Sequence, residues 1–123
     1  MDNRKMNTIK TQKELLQNVS KETSVNQLQE YFKLVLEIRG FGNQTAKDKM
    51  LLLMEEVGEL AKALRKEDYS FTIDQTKINN YETIESEIAD VGIVLISLCN
   101  VLKINFFDAI IEKEKKNTER TWT

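Results

Sequence analysis

Apolar residues recur along this chain at the three- and four-residue intervals of amphipathic helices, and none of its 123 residues is a proline. Leu28, Tyr31, Phe32, Val35 and Ile38 predict one such helix. Ser24 with Gln27 three positions on opens it as a capping box, and Gly40 and Gly42, flanking Phe41, stop it. The next begins between Asn43 and Thr45 and runs to about Lys66, with Met50, Leu53, Val57, Leu60 and Leu64 expected to face inward. From about Asn80 to Lys103 a further segment is apolar nearly all round beyond Ile88, the mark of a central or interface helix. Asn105 with Asp108 caps the last helix, which carries Phe106, Ala109 and Ile110 and turns strongly polar from Glu112 to Thr121.

Two stretches lie outside this pattern. Residues 1–22 hold Arg4, Lys5, Lys10 and Lys13, and Leu15, Leu16 and Val19 support one or two weak turns, so an arm or loosely docked helix is expected ahead of a domain spanning residues 23–123. Between Glu67 and Asn79 the periodicity fails; Tyr69, Phe71 and Ile73 alternate without a partner strand, and the stretch reads as a loop long enough to serve a site. With no sustained period of two, the fold class is all-α, a bundle of four to five helices.

Within this frame two acidic clusters stand out. Glu55, Glu56 and Glu59 fall within an arc of roughly 100° on one helix, and alone they read as a charged face. Glu87 and Asp90, one turn apart, begin a stripe that continues through Val94, Leu98 and Val101. A solvated face would stay polar, and an unpaired buried carboxylate costs several kcal/mol or takes up a proton. If the two helices face each other, Glu56, Glu59, Glu87 and Asp90 converge, and a ligand set of oxygens alone suits Mg²⁺ or Mn²⁺. Glu55 is then left beside the cluster, where a general base for water would stand. Gly58, at about 1 kcal/mol less favourable than alanine in a helix, fits the close approach of a ligand or neighbouring helix.

Composition narrows the alternatives. Eighteen Lys and Arg against 20 Asp and Glu give a net charge of -2 and no bulk basic surface for a nucleic-acid polymer. The chain has no histidine and one cysteine, Cys99, which removes disulfides, His-based triads and His-ligated zinc. Met1 to Lys5 lack the apolar run of a signal peptide, and Val91 to Cys99, broken by Ser97, is too short to span a bilayer. A cytoplasmic protein without membrane contact is the expectation.

On the last helix Lys113, Lys116, Asn117 and Arg120 stand at i, i+3, i+4 and i+7. Alone they read as a solvated face with Glu112 and Glu114 as partners; beside a metal they make a clamp for phosphate oxygens. Lys62 reads as an ion-pair partner of Glu55 and Glu59. For Tyr31, Phe32 and Phe41 a place in the core outranks stacking on a base, and for Trp122 a frayed terminus does.

Leu53 to Ala61 (LMEEVGELA), Glu87 to Val91 (EIADV), Phe106 to Lys113 and Lys115 to Trp122 together resemble the MazG-like nucleotide pyrophosphohydrolases, whose signature is EExxE followed at a distance by ExxD. The resemblance covers roughly residues 25 to 122. It implies hydrolysis of the α–β bond of a nucleoside triphosphate to monophosphate and pyrophosphate, with Glu56, Glu59, Glu87 and Asp90 on Mg²⁺, Glu55 as base or orienter of water, and the basic face on the triphosphate. It also implies a homodimer or a dimer of dimers with the site near the interface, and the apolar fourth segment points the same way. Clearance of noncanonical or surplus nucleotides is the suggested purpose. A narrower specificity, for dUTP, dCTP or phosphoribosyl-ATP, and a non-catalytic helical assembly protein are the competing readings.

Overall fold

In the computed structural model, described over residues 2–68 and 83–122, every regular element is a helix. These are α1 (Asn3–Gln17), α2 (Val25–Ile38), α3 (Ala46–Asp68), α4 (Ile84–Leu102) and α5 (Phe106–Thr118), and no strand occurs among the described residues. They form two compact units: the residues up to Gln44 together with those from Cys99 onward, and the continuous stretch Thr45–Leu98. The expected loop starts later than its sequence suggests, since α3 runs on to Asp68; its remainder, with Tyr69, Phe71 and Ile73, lies outside the described residues.

In the first unit the N-terminal arm is a helix of 15 residues. Its few apolar residues understate its length because local bonds extend it. Asp2 accepts from the Arg4 N–H, the Thr8 and Thr11 hydroxyls bond back to the carbonyls of Arg4 and Asn7, and Lys10 meets Glu14 at 4.0 Å. The helix packs on α2, and Arg39 donates to Gln12 Oε1 at 2.7 Å.

The Ser24–Gln27 capping box of α2 is formed on both sides. At the other end Gly40, at φ 90°, takes the left-handed position that glycine suits. There the Gly40 N–H bonds to the Glu37 carbonyl and that of Phe41 to the Leu36 carbonyl. Phe41, expected in the core, is 46% exposed, because this turn carries it past the end of the packed face.

Val35 is wholly buried in this unit, and on the same helix Gln29, 8% exposed, acts as a polar hub. Its Nε2 donates to Asn100 Oδ1 (3.0 Å) and the Ile104 carbonyl (2.8 Å), its Oε1 accepts from the Phe106 N–H (2.9 Å), and its own carbonyl accepts from Asn100 Nδ2 (3.2 Å). All three partner residues lie in or close to the turn between α4 and α5, where Lys103 adopts φ 58°, strained for a residue with a Cβ. Asn105 then caps α5 as its spacing predicts, accepting from the Asp108 N–H at 2.8 Å, and its amide donates to Asn26 at 2.9 Å.

In the second unit Thr45 and Asp48 cap α3 reciprocally, and Thr83 accepts from the Ser86 N–H at the start of α4. The covered face of α3 only partly overlaps the one its apolar periodicity selects: Leu53 and Leu60 are half-buried as expected. Lys49, Leu52, Leu53, Glu56, Leu60 and Ala63 are buried or half-buried, whereas Met50, Val57 and Leu64 are exposed. The covered face is thus turned by roughly 70° from expectation, and it is this face that brings Glu56 to the acidic residues of α4.

Replacing Gln29 by leucine keeps the volume but leaves the Phe106 N–H and the Ile104 carbonyl without their partner. At 1–3 kcal/mol for each such buried group, the expected loss is about 3 kcal/mol, a fall in Tm on the order of 10 °C. Thermal melts of the two proteins check it; a fall of a degree or less would show that the hub carries no stability.

Candidate metal centre

Glu56 on α3 and Glu87 and Asp90 on α4 each place a carboxylate oxygen within 4.8 Å of the other two. Glu87 is 6% exposed, and Glu56 and Asp90 are half-buried. Local sequence explains the placement. The i,i+3 spacing sets Glu87 and Asp90 one above the other on α4, and Thr83 fixes where that helix begins.

Burial raises the Glu56 carboxyl above the usual glutamate range, and the negative charges of Asp90, Glu87, Glu59 and Glu55 raise it further. The four neighbouring carboxylates thus all act on Glu56 with its own sign. Such a cluster of oxygens alone matches the ligand preference of a hard divalent cation, which makes the crowding favourable by neutralising it.

Of the four expected ligands, the structure thus brings together Glu56, Glu87 and Asp90. Glu59 is exposed and lies outside the set of three, although it is near enough to act on Glu56 electrostatically. Glu55 is exposed as well. Lys62 makes no ion pair with a described residue, so the pairing expected with Glu55 and Glu59 is absent.

The basic residues belong to the other unit. Lys113 and Lys116 stand exposed on α5 and make no ion pair with Glu112, Glu114 or any other described residue. Asn117 Nδ2 donates to Glu114 Oε2 at 3.3 Å, while its Oδ1 is buried with no donor. Arg120 does not continue the helical face. The helix ends at Thr118, its last turn tightens as Glu119 and Arg120 bond to the carbonyls of Lys116 and Asn117, and the Arg120 guanidinium lies 4.6 Å from the centre of the Trp122 ring.

One residue escaped the sequence reading. Lys49, 4% exposed, shares the face of α3 that carries Glu56, and burial lowers its ammonium below the usual lysine range against the opposing pull of Asp48. Its signal was a lysine directly before the apolar run Met50 to Met54, two helical turns ahead of Glu56.

A family model described as the MazG nucleotide pyrophosphohydrolase domain matches residues 44–122, more than half of the chain. The match contains all three clustered carboxylates and α5. No curated protein and no solved structure matches the chain.

The raised Glu56 carboxyl binds its proton more tightly in the folded than in the unfolded state. Its contribution to stability is complete below the ordinary glutamate pKa and is lost as pH rises through the raised folded value. In the presence of a chelator, stability should therefore fall between mildly acidic and neutral pH, and Mg²⁺ should restore it only where the cluster is ionised. Thermal melts at the two pH values read this directly: a Mg²⁺-induced rise in Tm of equal size at both would contradict it.

Proposed function

The chain belongs to the MazG nucleotide pyrophosphohydrolase family, and from that premise we propose that it is a Mg²⁺-dependent nucleoside triphosphate pyrophosphohydrolase, cleaving the α–β bond to give nucleoside monophosphate and pyrophosphate. The observation that carries this reading is the convergence of Glu56, Glu87 and Asp90 inside the matched segment.

In this proposal those three carboxylates hold the cation, and Glu59, one turn from Glu56 on α3, turns in as the fourth ligand. When bound, Mg²⁺ offsets the negative charge of the phosphate oxygens. Glu55 orients the attacking water and takes its proton, and its exposure lets it return that proton to solvent. The water oxygen bonds to one phosphorus of the α–β linkage, and the bridging oxygen leaves with the other. Lys113, Lys116 and Arg120, which lack acidic partners among the described residues, supply positive charge to the triphosphate. Asn117 is the weakest member of that set, because its amide already donates to Glu114.

The same proposal makes the protein a homo-oligomer, a dimer or a dimer of dimers, working in the cytoplasm. Leu51 (67% exposed), Met54 (59%) and Ile88 (56%) lie uncovered on α3 and α4 beside Met50, Val57 and Leu64, an apolar surface suited to a second copy. No single described helix is long and apolar enough to cross a membrane.

Asp90→Asn and Glu56→Gln keep size and remove ligand charge, so Mg²⁺-dependent release of pyrophosphate from mixed nucleoside triphosphates should fall at least a hundred-fold (about 3 kcal/mol) in each. Undiminished release in both would refute the site. Sedimentation at micromolar concentration should find no folded monomer; a stable, active monomer would overturn the assembly.

A further inference from the structure

The terminus beyond α5 carries an arrangement that the proposed chemistry leaves unused. Arg120 holds its guanidinium carbon 4.6 Å from the centre of the Trp122 ring, within the range of a cation–π contact. Trp122 is nonetheless 69% exposed. With one face of the indole taken by the guanidinium, that exposure leaves the opposite face open. A guanidinium stacked by its face keeps its N–H edges free for anions, and Lys113 and Lys116, exposed on α5, have no acidic partner among the described residues. A flat aromatic surface therefore stands against one cation, Arg120, just past a helix that carries two more. The ligand chemistry that meets both is a planar ring attached to phosphates.

We propose that Trp122 is the stacking platform for the nucleobase of the substrate, with Arg120 fixing the plane of the indole from behind. The proposal deepens the nucleotide pyrophosphohydrolase reading and rests on it. Stacking is tolerant of base identity because every base has a π face, so the platform accepts purines and pyrimidines alike, with the stronger-stacking purines bound more tightly. It also reverses the reading of Trp122 as a frayed end.

Trp122 is the only tryptophan in the chain, so its fluorescence reports on this position alone. The protein, with Mg²⁺ present, is titrated with the α,β-methylene analogues of ATP, GTP, CTP and UTP, whose α–β linkage resists hydrolysis, and, separately, with inorganic tripolyphosphate, which has the charge but no base. Saturable quenching by nucleotides and none by tripolyphosphate is expected. By calorimetry, Trp122→Ala should bind the nucleotides about ten-fold more weakly and tripolyphosphate unchanged, with Trp122→Phe close to wild type.

Hydrolysis is measured on the same preparation with the ordinary nucleoside triphosphates. Hydrolysis without quenching overturns the platform alone, and quenching without hydrolysis upholds the platform while overturning the enzymatic reading. Equal quenching by tripolyphosphate reduces Trp122 to a reporter of Arg120, and emission that follows protein concentration but not nucleotide makes it a contact between copies. Either result overturns the proposal.

Discussion

Three carboxylate oxygens within 4.8 Å of one another repel, and a fold that brings them together must oppose that repulsion through everything around them. Much of the second unit can be understood from this constraint. The covered face of α3 combines Glu56 and Lys49 with Leu52, Leu53, Leu60 and Ala63, while Met50, Val57 and Leu64 are exposed. A cation in the cluster would convert the repulsion into attraction, so the least favourable interaction of the free chain becomes a source of binding energy.

The features legible in the sequence were those set by neighbours along the chain. Ser24 with Gln27, Asn105 with Asp108 and the glycines after α2 each specify a local geometry, and each forms as read. The pairing of the ExxD carboxylates with Glu56 was also legible, because an acidic i,i+3 pair on an apolar stripe needs a cation or a proton to be tolerated there. What misled was the helical wheel of α3. A wheel ranks faces by polarity and cannot know that a facing helix carries acids of its own. Glu59, which both spacing and the EExxE resemblance assign to the cluster, lies on the exposed flank of the helix. The run Lys113 to Arg120 kept its register only to Thr118, where the last turn tightens and Arg120 finds Trp122.

The first unit solves a different problem by different means. A turn that places Lys103 in the left-handed region would not hold by propensity. Gln29 holds it by satisfying polar groups of Asn100, Ile104 and Phe106 at once, and a fully satisfied network of this kind specifies one geometry where apolar packing would tolerate several. The helix that carries the basic residues therefore starts from a point fixed by hydrogen bonds to α2.

The two units differ in how the chain runs through them. Thr45–Leu98 is continuous, whereas the other unit joins the residues before it to those after it. During synthesis, when a chain emerges from its N-terminus at about 5–20 residues per second, the carboxylates of α3 and α4 are all available before the turn that Gln29 must grip has been made. Gln29 waits with its amide in water for at least the time needed to add the 77 residues that separate it from Phe106. The acidic unit is thus the part of this protein that can meet its cation first, and the helix with the basic residues is the last to be locked in place.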